Sequence, residues 1–263
     1  MTLYRQFLIR SDCYAAGRTI TPQGVMVHST GANNPNVSRY VPGDEVLGVN
    51  RNGNHWDRPG VAKCVHAFVG KIADGSVAAI QTLPWDRRGW HAGTGTSGRS
   101  ANDTHISFEI CEDGLEDPDY FAAVYRAAAE LTALLCRQYG LDPLADGVVL
   151  CHQEGYRRGI ASNHADVLHW FPKFGRSMDD FRADVAALVR EEDDTMNYEQ
   201  WKQYMDRYRA ELAAQAADPW AAPYIREAVA AGLMADVGGT IQRPKDFVTR
   251  QELATSLAAA VRK

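Results

Sequence analysis

The chain has 263 residues, 45% hydrophobic and 23% charged, with a formal net charge of −5. That length accommodates one sizeable domain plus something small, with an ordinary globular composition and a core that needs no staples. The mild acidic balance gives no ground for a nucleic acid or an anionic membrane as partner. No apolar run is long enough to span a membrane, and the opening MTLYRQFLIRSDCY is broken by charges. The reading is therefore a protein made in the cytoplasm without a signal peptide. Cys13, Cys64, Cys111, Cys136 and Cys151 are odd in number and widely spaced, which reads as reduced, buried thiols.

In chain order, the segment up to Thr21 is mixed, and Gly24 to Thr30 (GVMVHST) is the first clear strand. Val37 to Val49 reads as a short irregular helix and Asn50 to Gly60 as loop. Cys64 to Lys71 and Ser76 to Thr82 flank Asp74-Gly75, the pattern of a hairpin. Leu83 to Asn102 is a long loop of the kind that carries function. Thr104 to Cys111 (THISFEIC) is a strand, with Ile106, Phe108 and Ile110 on one face and Ser107, Glu109 and Cys111 on the other. A helix runs from Asp117-Pro118 to Gly140, and Val148 to Cys151 is a buried strand followed by a loop. Ser177 and Asp180 resemble a capping box ahead of an apolar face of Phe181, Val185, Leu188 and Val189. Interleaved strands and helices give an α/β class. The charged run Arg190 to Thr195 divides residues 1–192 from a helical tail, 193–263. In that tail Asn197 to Ala217 reads as helix, and Thr249 with Glu252 as a second capping box.

The segment Leu150 to Phe171 (LCHQEGYRRGIASNHADVLHWF) gathers His152, His164, His169 and Asp166. Zinc accepts imidazole nitrogen and carboxylate oxygen, and a catalytic site keeps three protein ligands and one open position. His28, at the end of an apolar strand, supplies a third ligand beside His152 and Asp166. Glu109 is a carboxylate inside an apolar strand, costly unless it has a task, and it is the candidate general base. His164 is a candidate oxyanion donor; the alternative makes it the ligand, with Asp166 behind it. Trp90 and His91 (GWHAGTG) and Asn102 suit substrate contact. His55, His66, His105 and His169 read as structural.

Together VMVHSTG, DGSVAAIQTLPWDRRGWHAGTG, HISFEICED and CHQEG…SNHADVLHWF resemble the zinc-dependent N-acetylmuramoyl-L-alanine amidases, a group that includes phage endolysins and is similar to peptidoglycan recognition proteins. The resemblance covers about Gly24 to Val189. It implies a mixed central β-sheet flanked by helices, zinc on His28, His152 and Asp166, Glu109 as base, and His164 where relatives place a lysine or another donor. It also implies hydrolysis of the amide between the lactyl group of N-acetylmuramic acid and L-alanine, by an endolysin or prophage-encoded autolysin released to the wall by a holin or by lysis. The alternative is a recognition module that holds muropeptide without cutting. One departure stands out: relatives commonly follow the late carboxylate or cysteine with proline, whereas Asp166 is followed by Val167. The tail, from Pro219 through RPKDFVTRQE, resembles one S-layer-homology unit. That implies binding of a cell-wall polymer or a homodimer contact through a small all-helical domain.

Overall fold

Six short segments dense in apolar and β-branched residues form one sheet, in the order β1-β4-β3-β5-β2-β6. The strands are β1 (Leu3–Arg5), β2 (Gly24–Ser29), β3 (Ala67–Lys71), β4 (Val77–Gln81), β5 (His105–Ile110) and β6 (Val149–Cys151). Only the β3/β4 hairpin is antiparallel; the other neighbours run parallel. This computed structural model describes residues 1–193, 198–216, 219–233, 236–237, 240–241, 253–254, 257–258 and 261. The chain divides into two compact units, Met1–Glu192 and Asp193–Lys263.

The period-two pattern sorts the side chains to the two faces of the sheet. Val25, Val27, Ala67, Val69, Ile106, Phe108 and Ile110 share one core with helices α2 (Pro118–Tyr139) and α4 (Met178–Asp193). Asp117 starts α2 by accepting the amides of Asp119 and Tyr120, and Gly140 ends it at φ 64°, a left-handed conformation suited to glycine. Phe121, Val124, Ala128, Leu131 and Leu135 lie buried along α2. Each large apolar side chain among them contributes roughly 1.5–3 kcal/mol. The Ser177–Asp180 capping box opens α4 as its spacing suggested.

The opposite face carries loops and the short helix α3 (His152–Arg157). Here one cross-strand row reads Tyr4, Ile80, Phe68, Glu109, His28. The row passes from a hydrophobic cluster into polar side chains close to the carboxyl ends of β5 and β2. Ligand sites of α/β sheets gather at such strand ends.

Several expectations need correction. Val37 to Val49 holds only a 3-10 turn, Val37–Arg39; Pro42, Gly43 and Gly48 break any helix, and the Asp44 carboxylate instead accepts the amides of Val46 and Leu47. The segment after His152 is α3 rather than loop. Glu154 reaches back to the Cys151 amide and is clamped by Arg182. Cys13, in helix α1 (Asp12–Ala15), is bonded to Cys64, so these two are not free thiols. Their Cα atoms lie 6.4 Å apart, within disulfide reach, and both pack beside Leu83. Cys111, Cys136 and Cys151 are buried and free.

In the second unit, α5 (Tyr198–Ala214) and α6 (Ala222–Ala230) are helical, and Gly232 follows α6 at φ 66°. The tail is not wholly helical. Strands β7 (Asp236–Val237) and β8 (Thr240–Ile241) pair antiparallel, in keeping with the extended preference of their β-branched residues. The Thr249–Glu252 capping box lies outside the described residues.

Candidate metal centre and catalytic site

Three adjacent parallel strands, β5, β2 and β6, end at the same rim. His28 is the penultimate residue of β2, Glu109 is the penultimate residue of β5 and its direct partner in register, and His152 follows β6 immediately. Asp166 returns from the segment after α3. The atoms converge closely: His28 Nδ1 lies 2.9 Å from Asp166 Oδ2, His152 Nδ1 is 3.2 Å from the same oxygen, and the two Nδ1 atoms are 3.1 Å apart. Among the described residues this is the group of His, Cys, Asp or Glu side chains able to hold a metal ion.

Ligands of a tetrahedral zinc, at 2.0–2.1 Å from the ion, are separated by about 3.3 Å, close to the spacing here. The tautomers fit as well. If both imidazoles are bare at Nδ1, their protons sit on Nε2, and each Nε2 has an acceptor within reach. For His28 it is His91 Nδ1 at 3.0 Å, and for His152 it is Ser162 Oγ at 3.2 Å. Outer contacts of this kind orient metal ligands. Burial, partly opposed by the Asp166 hydrogen bond, lowers the His28 pKa and keeps the ring neutral. For Asp166 burial acts upward, but in the other tautomer, with the protons on Nδ1, hydrogen bonds from His152 and His28 prevail and hold it well below the usual carboxylate range. The donor set therefore fits zinc.

The residue after Asp166 explains the departure from proline. Val167 is fully buried and adopts φ 60°, a region costly for a β-branched residue. Proline, fixed near −65°, could not make this turn. The Val167 amide donates to Ser29 Oγ at 3.3 Å, which ties the turn to the end of β2.

Among the described residues no arginine pairs with Glu109. Its Oε2 is buried without a hydrogen bond, and burial, then the Asp166 charge, push its pKa well above normal. Beside it the rings of Tyr40, Trp56 and Phe68 interlock, with Tyr40 stacked on Phe68 at 4.7 Å. The Tyr40 hydroxyl is likewise buried. His164 is exposed, with its ring 4.6 Å from that of His152.

The loop residues fall differently from expectation. His91 stands behind His28 rather than in open solvent, and burial holds its pKa well below normal. Asn102 is buried, and its Oδ1 accepts the amides of His91 and Ala92 at 2.8 and 2.9 Å. It thus anchors the loop instead of reaching outward for a ligand. Trp90 pairs through its backbone with Cys64 and packs in the small cluster around the disulfide. All four histidines read as structural have partners: His55 with the Asp57 amide, His66 with Arg87 and Ser107, His105 with Gly147 and Thr104, and His169 with Glu112. Burial brings the His66 pKa down to about 4. Ser162, which touches both His152 and His164, was missed in the sequence. Its only signal there is the alternation Ser162-x-His164-x-Asp166.

The N-acetylmuramoyl-L-alanine amidase family model matches residues 18–168, and the S-layer homology domain model matches residues 214–254. No curated protein sequence matches. Similar solved structures include the Staphylococcus aureus hydrolase AmiA in complex with its ligand. It is 19% identical, over 72% of this chain and 83% of that one, with a TM-score of 0.50. Another is a mutant of PlyL, 19% identical over 70% of this chain and 98% of that one, with a TM-score of 0.50. At such identity these structures establish a shared fold: the mixed six-stranded sheet flanked by helices. The family model covers more than half of the chain, and the protein belongs to the N-acetylmuramoyl-L-alanine amidase family.

Proposed function

We propose that this protein cleaves the amide between the lactyl group of N-acetylmuramic acid and L-alanine, with one zinc ion held by His28, His152 and Asp166. Membership of the family makes it a hydrolase of peptidoglycan; the bond and the metal are the finer reading. The observation that carries it is the convergence of three ligand atoms within 2.9–3.2 Å beside a carboxylate whose Oε2 is buried without a hydrogen bond. Bound there, zinc supplies positive charge for the scissile carbonyl and lowers the pKa of a water to about 7.

The protein's own groups do the rest. Glu109 takes a proton from the attacking water and delivers it to the departing L-alanine nitrogen. Its buried setting raises its proton affinity toward the range where a general base works best near neutrality. His164 donates to the oxygen on which negative charge develops. His91 and Ser162 hold the ligand rings, and Asn102 holds the loop that bears His91. The C-terminal unit binds a cell-wall polymer and keeps the enzyme on its substrate; on this reading the protein reaches the wall through a holin or after lysis. No described helix is long and apolar enough to cross a membrane.

The test is incubation with purified cell walls, scoring new α-amino groups and new reducing ends. The reading expects new amino termini on L-alanine, lost with chelator and restored by zinc. Reducing ends alone would mean glycosidase action. Binding of walls with no cleavage at all would mean a recognition module.

A further inference from the structure

His28 and His152 are set by strand ends, but Asp166 arrives on a turn. Asn163, His164 and Ala165 before it are exposed, whereas Val167, Trp170 and Phe171 after it are fully buried. The turn is strained, because Val167 stands at φ 60°, and such a conformation persists only where its surroundings over-determine it. One restraint is the bond from the Val167 amide to Ser29 Oγ, at 3.3 Å a long one. A second comes two residues later. The Nε2 of exposed His169 donates to Glu112 Oε1 at 2.9 Å, across 57 residues of sequence.

Glu112 is a firm anchor. Its side chain is buried, where a carboxylate without a partner would be costly. Its amide donates to Thr30 Oγ1 at 3.1 Å, and its carbonyl accepts the Asn34 amide at 2.8 Å. Thr30 directly follows β2, and Glu112 lies just beyond β5. The acceptor for His169 is therefore moored to the same two strands that carry His28 and Glu109.

We infer that the Glu112–His169 pair positions the third ligand: it ties the strained turn at Val167 to the ends of β2 and β5 and so keeps the Asp166 carboxylate beside His28 and His152. This rests on the zinc reading above and deepens it. Neither residue belongs to the ligand group itself; both act through Asp166. Without the tie, Val167 can relax toward an ordinary backbone conformation, and the rotation carries Asp166 away from the two imidazoles.

The experiment uses the full chain with Glu112→Leu, which removes the acceptor but keeps an apolar side chain of similar size, and Glu112→Gln, which retains an acceptor oxygen. Each is made alone and together with Asp166→Ala. Zinc affinity is read by competition with a chromogenic chelator, and exchange of the Val167 amide hydrogen is followed in zinc-free protein. Glu112→Leu should lower zinc affinity by about 10–100-fold, the usual cost of losing an outer support of a metal ligand, and should speed Val167 exchange. Glu112→Gln should recover most of both. With Asp166→Ala the turn carries no ligand, so residue 112 should cease to matter for affinity. Affinity and exchange unchanged in Glu112→Leu would overturn the inference. So would an equal loss of affinity in the Asp166→Ala background, which would mean general loosening instead of positioning. Failure of the zinc reading looks different: the wild-type chain would take up no zinc, or Asp166→Ala alone would leave the affinity unaltered. Val167 exchange, measured without metal, would still decide whether the pair holds the turn.

Discussion

Replacing Glu109 with glutamine keeps the side-chain shape and removes the ionisable group from a row in which Phe68 and His28 are its neighbours. A general acid–base residue contributes about 10²–10⁴-fold, which is about 3–5 kcal/mol of barrier at 1.36 kcal/mol per tenfold. Hydrolysis of purified walls, followed by released amino groups, should fall by that factor. Stability should move the other way. Burial, with the Asp166 charge added, holds the Glu109 carboxyl well above its ordinary range, so the folded protein keeps a proton that the unfolded chain releases. Stability attached to this group is therefore complete at acid pH. It declines once the pH passes about 4.3, where unfolded glutamate ionises, and continues to decline up to the raised folded pKa. In urea unfolding of chelator-treated protein, wild type and Glu109→Gln should start level at acid pH. The variant should then gain steadily as the pH rises, toward the roughly 1–3 kcal/mol of an unpaired buried polar atom. A variant that keeps more than about a tenth of the activity, or a stability difference that stays flat with pH, would refute the reasoning.

Other consequences follow from contacts around the site. Asn102→Ala leaves the His91 and Ala92 amides without their acceptor and should cost roughly 1–3 kcal/mol in urea unfolding. Zinc affinity should also fall, because His91 loses its mooring. Val167→Pro should destroy zinc binding measured by equilibrium dialysis, since proline cannot adopt the positive φ found there; Val167→Gly should retain it. Removing the Cys13–Cys64 bond, with a sequence separation of 51, by reductant or by a double alanine variant should lower stability by roughly 4 kcal/mol on chain-entropy grounds. Unfolding curves that coincide with and without reductant would count against that bond.

Much of the sheet was legible because its strands alternate cleanly. The pattern of Thr104 to Cys111 put Glu109 on the face opposite Ile106, Phe108 and Ile110, and the structure has that arrangement. The hairpin and both ends of α2 were equally plain, since Asp74-Gly75, Asp117 and Gly140 each carry a local signal. β1 and α1, of three and four residues, leave too short a pattern to read. Helix α3 was hidden by Gly155, a poor helix residue, which packs beside Met26 and Ala161. The ligand residues were nameable because their chemistry is scarce. Their neighbours were not, because serine and asparagine are common, and the roles of Ser162 and Asn102 depend on contacts across 10 residues and more. The disulfide was unreadable for a related reason: five cysteines offer many pairings, and spacing alone selects none of them.

The proposed chemistry requires that His28, His152 and Asp166 share one zinc ion. Diffraction from a zinc-soaked crystal, with anomalous differences recorded at the zinc edge, tests it most directly. The expected result is a single strong peak bounded by His28 Nδ1, His152 Nδ1 and an Asp166 carboxylate oxygen. A peak held by His164 in place of Asp166, or no peak between the two histidines, would contradict it.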